Sequence, residues 1–200
     1  MARYAVAASL FMLPIFVSAG ENPSAFNAIA VLPKEELKSL ARIVAYDGTP
    51  VPERWHYLMY DPNSASGLRE YVVANGDLAV SRGISQFAYR LSEADIIGHY
   101  ALQIDTGELA KMANEYAAAN NLTVDRLNYQ LQKDALQNEP RWQVSCLDKE
   151  GKVLGTLVVT ATYGDVVSHA GFLIAPKFTE KQRSTWKREP DSTENIERIA

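Results

Sequence analysis

Two stretches of the chain share a tryptophan, an aspartate and three glycines in the same order and at nearly constant spacing. Trp55 lies 87 residues before Trp142, and Asp61 lies 87 residues before Asp148. Three glycine pairs follow at a spacing of 88 residues: Gly67 and Gly155, Gly76 and Gly164, and Gly83 and Gly171. We interpret this pattern as an internal duplication. Because each unit alone is too small to cover both a helix stripe and a sheet face, we expect the two copies to pack side by side around a shared antiparallel sheet.

Each copy is predicted to be a helix followed by an antiparallel meander. In the first copy, apolar residues at positions i, i+3, i+4 and i+7 predict a helix over 33–46: Leu37, Leu40, Ala41 and Val44. Alternating side chains then predict strands at 55–60, 68–74 and 77–81. The pair Asn75-Gly76 predicts a tight hairpin turn between the last two strands.

The second copy has the same order of elements. Asp105 can cap a helix in which Glu108 follows three residues later, an arrangement typical of a capping box. Alternation predicts strands at 127–131, 142–146, 155–161 and 165–169. Between the copies, the apolar segment 96–104 predicts one further strand.

Four residues receive structural roles from this pattern. Trp55 and Trp142 are predicted to anchor the core between helix and sheet, because buried aromatic side chains contribute large apolar areas. Gly76 and Gly164 are predicted to occupy hairpin positions with positive φ, which glycine adopts without a steric penalty. The predicted fold class is therefore α+β, in which helices pack on an antiparallel sheet built from tandem helix-plus-meander units.

The ends of the chain differ in composition from the two copies. The first nineteen residues combine one charge, an apolar run and small residues at 17–19, which is typical of an export signal, and we predict cleavage between Ala19 and Gly20. Behind it, no run is long and apolar enough to span a membrane, so we predict a periplasmic or secreted protein. The predicted organisation is a signal peptide (1–19), a connector with a first strand (20–32), a first unit (33–83), a bridging segment (84–104), a second unit (105–175) and a polar tail (176–200).

Charge and cysteine content narrow the classes of function. The net charge of −4 and the pI near 5.4 disfavour a nucleic-acid partner, because proteins that bind nucleic acid carry basic patches. Cys146 is the only cysteine, so an intramolecular disulfide cannot form. Because Cys146 alternates with Trp142 and Val144 on a predicted strand face, we expect a buried and unreactive thiol.

The second copy resembles the PepSY and PepSY-like domains. The resemblance lies in the segment 140–144, in Gly151 and Gly155 and in the run 159–167, although Thr160 stands where the family usually has an acidic residue. The resemblance covers 105–171, and a weaker resemblance extends over 33–83. It implies a cystatin-like α+β fold without catalytic residues. PepSY domains occur in propeptides of thermolysin-like proteases and in exported bacterial proteins, so the resemblance also implies restraint of a peptidase or binding within the cell envelope.

No pattern in the sequence predicts catalytic, metal-binding or cofactor-binding residues. His56, His99 and His169 are widely spaced, and the segment 83–87 departs from a nucleophile elbow because Phe87 replaces the required glycine. We therefore predict a non-catalytic, exported binding or peptidase-regulating module of the cell envelope. Its partner is expected to be an unknown protein or peptide, and no cofactor is expected.

Two alternatives stay open. One is a small enzyme whose site lies inside a cystatin-like cone and pairs His99 or His169 with a carboxylate. The other is a structural component of the envelope. A wet, concave pocket that joins a histidine to a carboxylate would favour the enzyme, whereas a packed interior with an open sheet face would favour a binding module.

Overall fold

The computed structural model describes residues 22–85, 90–179, 182 and 184. Within them the α-helices are α1 (Ala25–Ala28), α2 (Lys34–Leu37) and α3 (Thr106–Ala119), and short 3₁₀ turns lie at Ile29–Val31, Glu93–Asp95 and His99–Ala101. The strands are β1 (Leu40–Gly48), β2 (Arg54–Tyr60), β3 (Leu68–Ala74), β4 (Asp77–Gly83), β5 (Arg126–Lys133), β6 (Pro140–Leu147), β7 (Val153–Thr160) and β8 (Val166–Ala170). The predicted cleavage site at Ala19 and Gly20 lies outside the described residues.

All of these strands belong to one antiparallel sheet with the order β4-β3-β2-β1-β5-β6-β7-β8. The first four strands and the last four are each a meander of consecutive neighbours, and β1 and β5 join the two meanders at the centre. Side chains of α1 and α3 share one apolar core with a single face of the sheet. The architecture is therefore α+β, in agreement with the predicted class.

The pairing register relates the two meanders by an internal two-fold axis. Three consecutive matches join the central strands: Ile43 with Leu131, Val44 with Gln130 and Ala45 with Tyr129. In these two strands, equivalent residues of the two copies lie 86 positions apart. Replacing each residue by its equivalent converts the pair of Ile43 and Leu131 into the pair of Ala45 and Tyr129. The same replacement converts the pair of Val44 and Gln130 into itself. The axis therefore passes through the middle match.

The helix predicted over 33–46 is wrong. Only Lys34–Leu37 forms a helical turn, and most of the remainder is the central strand β1. The apolar spacing was misleading because β1 is buried on both faces: Ile43 faces the main core, whereas Ala41 packs into a second cluster on the opposite face. A strand that is buried on both faces loses strict alternation, and its two neighbouring strands stabilise it over a local helix.

The helix of the first copy lies earlier in the chain. Residues 25–31 form α1 and the following 3₁₀ turn, where we expected a connector and a first strand, so that expectation is also wrong. Ser24 and Asp105 are the N-caps of α1 and α3, and each side chain accepts a backbone N–H from its own helix. An N-cap oxygen that satisfies such an N–H favours helix formation at that point.

The strand predicted at 96–104 is wrong as well. The bridging segment contains two 3₁₀ turns and crosses the end of the sheet on its way from β4 to α3. Backbone contacts hold it there, because the N–H of Ile97 donates to the carbonyl of Leu40 and that of Ile104 donates to the carbonyl of Ala161. Ile97, Leu102 and Ile104 are therefore buried in the core without strand pairing, whereas Tyr100 is 75% exposed.

The other predicted elements are present. The helix capped by Asp105 and the strands predicted from alternation match α3, β2 to β4 and β5 to β8. The hairpin between β3 and β4 turns at Asn75 and Gly76, whose φ values are 51° and 86°. Gly164, in the turn between β7 and β8, has a φ of 74°.

The two tryptophans occupy equivalent buried positions. Trp55 is 1% exposed and Trp142 is 0% exposed. Each indole Nε1 donates a 2.9 Å hydrogen bond to a backbone carbonyl just before the N-cap of the helix in its own copy, namely to Pro23 O and to Ile104 O. Both side chains therefore join the sheet to the start of a helix.

The first part of the predicted polar tail packs on α3. The ring of Phe178 lies 5.9 Å from that of Tyr116, and Gln182 Nε2 donates to Glu115 Oε1. Phe178 and Gln182 therefore contact α3 directly.

Candidate functional site

The face of the sheet opposite α1 and α3 is largely uncovered. Where the bridging segment crosses it, Leu91 packs with Leu58 and Leu68 in the second apolar cluster. Beyond that cluster, the outward side chains of the central strands are partly or fully exposed, and most are polar without charge. We call this surface the open face: Val44, Tyr46, Arg54, His56, Asn128, Gln130, Gln143, Ser145, Thr156 and Val158.

Tyr46 is the most prominent side chain at the centre of the open face. It is 61% exposed, although it belongs to a central strand with neighbours on both sides. It follows Val44 by two positions and so shares its face, and Val44 pairs with His56 on one side and with Gln130 on the other. The aromatic ring of Tyr46 is therefore exposed among polar side chains near the internal two-fold axis.

Two adjoining hollows flank Tyr46. The larger, with a volume of about 400 Å³, lies towards the start of β2, and Arg54 and His56 are among its lining residues. The smaller, about 180 Å³, lies over β5 and β6, where Gln130 and Gln143 line it. Tyr46 lines both, so one ligand could contact the ring and the two hollows together.

A hydrogen-bonded network lies beside the larger hollow. Glu70 on β3 is only 8% exposed, and its Oε1 lies 2.8 Å from His56 Nδ1. Its other oxygen, Oε2, accepts a hydrogen bond from Arg82 Nε at 2.7 Å and lies 2.6 Å from Arg82 Nη2 in an ion pair. Arg82 pairs directly across the β3–β4 ladder with Glu70, whereas His56 is diagonal to it on β2. The buried carboxylate thereby fixes the orientation of the imidazole.

The pKa of Glu70 is held below its ordinary value. Burial alone would raise that pKa, because it penalises the charged form, but the hydrogen bonds from His56 and Arg82 outweigh it. Glu70 is therefore ionised at neutral pH and matches the charge of Arg82.

Most arginines around the open face already have carboxylate partners. Arg126 Nη1 lies 3.1 Å from Asp47, and Arg141 Nη1 lies 3.0 Å from Asp134. Within residues 22–85 and 90–179, Arg54 forms no ion pair. A guanidinium that has no carboxylate partner in the described part of the chain therefore lines the larger hollow.

Of the two histidines that we considered for an enzyme site, His169 contacts no carboxylate among the described residues. His169, on β8, packs against the ring of Tyr116, with centroids 5.4 Å apart, on the helix-covered side of the sheet. His99 begins a 3₁₀ turn, and its side chain is not among the described ones. The histidine that does contact a carboxylate is His56, through its Nδ1 and Glu70 Oε1.

Cys146 is fully buried, and burial raises the pKa of its thiol to about 12. A thiol with such a pKa is almost entirely protonated at neutral pH and is a poor nucleophile. Among the described residues, no group of three or more His, Cys, Asp and Glu side chains is placed to hold a metal ion.

Sequence reasoning missed Tyr46, Arg54 and Glu70. Tyr46 was assigned to the end of a helix, which concealed its position on a sheet face. The contact between Glu70 and Arg82 depends on a register shift after Val72, because an unbroken two-residue hairpin would place Ser81 opposite Glu70. The sequence shows alternating polar residues in β2, β3 and β4, but it does not show which of these residues contact each other.

In the part of the chain that the structure describes, no helix has both the length and the apolar character needed to cross a membrane. Comparison with family models gives no match, and comparisons with curated proteins and with solved structures give no significant one.

Proposed function

We propose that this chain is a non-catalytic, exported binding or peptidase-regulating module of the cell envelope, and that it holds a protein partner on its open face. The observation that carries the proposal is the exposed ring of Tyr46 between two polar hollows. Tyrosine and arginine side chains dominate the binding energy of many protein interfaces, because they combine a large contact area with hydrogen-bonding groups.

The composition of the open face supports a protein partner over a small molecule. Sites for small molecules are mostly apolar and enclosed, whereas this surface is broad and rich in glutamine, asparagine, serine and threonine. Such side chains supply adaptable hydrogen bonds around aromatic anchors in binding surfaces that recognise proteins. The rigid sheet beneath them reduces the conformational entropy lost on binding.

We further propose that each half of the molecule is a cystatin-like, PepSY-like unit. A helix packed on an antiparallel meander, with a tryptophan between them, supports this assignment in both copies. The export and envelope location rest on the predicted cleavage between Ala19 and Gly20, and they remain proposals.

The alternative of an enzyme has less support. Its site would lie between the helices and the sheet, and large buried side chains fill that space: Trp55, Tyr57, Tyr129 and Trp142. A structural component of the envelope would also be compatible with the fold, but it gives no reason for Tyr46 to be exposed on a central strand.

A binding assay with matched variants tests the proposal. The purified protein is immobilised, envelope proteins that it captures are identified, and each is purified and titrated against wild type, Tyr46→Ala and Tyr163→Ala. Tyr163 is 58% exposed in the turn between β7 and β8, so its substitution removes a similar side chain away from the open face. We expect Tyr46→Ala to weaken binding by roughly 30-fold, about 2 kcal/mol, and Tyr163→Ala to leave it nearly unchanged.

The same assay examines peptidase regulation. If the partner is a peptidase, its turnover of a reporter peptide is measured with wild type and with Tyr46→Ala, and only wild type should change it. Equal affinity of the wild type and Tyr46→Ala for every purified partner would contradict the proposal.

A further inference from the structure

Resting on the proposed function, we infer that the larger hollow receives an acidic side chain of the protein partner, whose carboxylate binds between Arg54 and His56. Both side chains project from the same face of β2, two residues apart, and both line the hollow. A planar guanidinium matches the geometry of a carboxylate with two parallel hydrogen bonds. The site thereby defines the chemistry of one contact in the interface.

The ion pairs around the hollow leave Arg54 available to an anionic ligand. The carboxylate of Glu70 is matched by Arg82, and that of Asp47 is matched by Arg126. Glu53 also lines the hollow and is exposed, as Arg54 is, but no ion pair joins these two side chains. Among the described residues, Arg54 is therefore a cation of this hollow without a carboxylate partner.

The orientation of His56 adds a second group for the same ligand. Because Nδ1 faces Glu70, Nε2 is the ring nitrogen that can face a ligand in the hollow. When the imidazole is protonated, both nitrogens are donors, and Nε2–H can donate to a carboxylate while Nδ1–H remains with Glu70. The groups around His56 are Tyr46 and Asp47 from β1, Glu53 and Arg54 at the start of β2, Glu70 from β3 and Arg82 from β4.

The charge of Arg54 distinguishes an acidic side chain from its amide counterpart. A carboxylate beside a guanidinium gains an attraction that a carboxamide of the same shape does not. We therefore expect an acidic ligand to bind in the hollow more tightly than a carboxamide.

Two short peptides and NMR provide the test without a known partner. The purified protein, labelled at histidine and arginine, is titrated with acetyl-Gly-Glu-Gly-amide and with its glutamine counterpart under the same conditions. We expect the glutamate peptide to shift the His56 ring resonances and the Arg54 Nε resonance, and the glutamine peptide to shift them far less. Arg54→Gln should abolish the response, whereas Arg90→Gln, which removes an exposed charge in the bridging segment, should preserve it.

The outcomes separate this inference from the proposed function. Equal responses to the two peptides, or equal losses in Arg54→Gln and Arg90→Gln, would overturn the carboxylate site. If partner binding nevertheless depends on Tyr46, the open face remains the binding surface and only the acidic contact is wrong. If the glutamate peptide gives the selective response but Tyr46→Ala does not weaken partner binding, the carboxylate site is supported and the proposed function is contradicted.

Discussion

The side-chain hydroxyl of Ser24 donates a hydrogen bond to Oδ2 of Asp105, so the N-caps of α1 and α3 bond to each other. The same carboxylate accepts the backbone N–H of Thr106 in α3 through Oδ1, and that of Phe26 in α1 at 3.3 Å. One carboxylate thus serves the positive ends of two helices, which the internal two-fold axis brings together. Asp105 is also one cause, after burial, of the raised pKa of the Tyr57 hydroxyl nearby.

Replacing Asp105 should therefore cost more than the loss of a single helix cap. Removal of one N-cap side chain costs about 1 kcal/mol, and Asp105→Ala also leaves Ser24 and the Phe26 N–H without their acceptor, so we expect a loss of about 2 kcal/mol. Asp125→Ala, at an exposed position before β5, should change stability by less than about 0.5 kcal/mol. Urea unfolding measures both, and equal effects of the two substitutions would contradict this role for Asp105.

Trp142 should be among the residues whose loss is most destabilising. Its side chain is fully buried, so Trp142→Ala removes a large apolar contact and should cost about 3–5 kcal/mol. Trp142→Phe keeps part of the packing but leaves the Ile104 carbonyl without its indole donor, and it should cost about 1–3 kcal/mol. If thermal or urea melts of Trp142→Ala matched those of the wild type, the core would have to lie elsewhere.

Because Trp55 occupies the equivalent position in the first copy, Trp55→Ala should resemble Trp142→Ala. It removes the indole that donates to Pro23 O and the contact of Trp55 with the ring of Tyr129. We expect a loss of about 3–5 kcal/mol in the same melt. A far smaller loss would mean that the first copy depends less on its tryptophan than the second.

The duplication and the meanders were predictable because their spacing is a local property of the sequence. The tryptophans and hairpin glycines fixed which strands correspond, and strict alternation identified strands such as β5, where buried Leu127, Tyr129 and Leu131 face the core. The central strand β1 could not be recognised in this way. Its apolar residues serve two clusters on opposite faces, and only the tertiary structure shows that both exist.

The candidate site was less predictable than the fold, because it depends on which strands are neighbours. Tyr46 becomes prominent only once β1 is known to be a strand at the centre of the sheet. The meeting of His56 and Glu70 requires the β2–β3 register, and that of Glu70 and Arg82 requires the bulge in the β3–β4 ladder. None of these pairings has a fixed separation in the sequence.

His169 should be dispensable for partner binding. It is exposed on β8 and contacts Tyr116 on the helix-covered side of the sheet, away from the open face. His169→Ala should cost less than about 1 kcal/mol, because it removes one exposed aromatic contact, and partner affinity should stay within about twofold of the wild type. A folded His169→Ala protein that lost all activity would favour the enzyme alternative.

Glu70→Gln should reveal a pH-dependent contribution to stability. The pKa of Glu70 is lowered in the folded state, so its ionised form stabilises the fold above the unfolded pKa, about 4.3, and this contribution is lost as the pH falls through the folded pKa. The free energy of unfolding of wild type should therefore exceed that of Glu70→Gln at pH 6–7, and the difference should shrink towards pH 3. Glu53→Gln, at an exposed position in the larger hollow, controls for the general effect of losing one negative charge. Urea titrations at half-unit pH steps measure all three proteins. The loss in free energy of unfolding caused by Glu70→Gln could instead be the same at pH 3 and pH 7. In that case the network of His56, Glu70 and Arg82 would not stabilise the charged carboxylate. Glu70 could then not be the group that orients the imidazole beside the hollow.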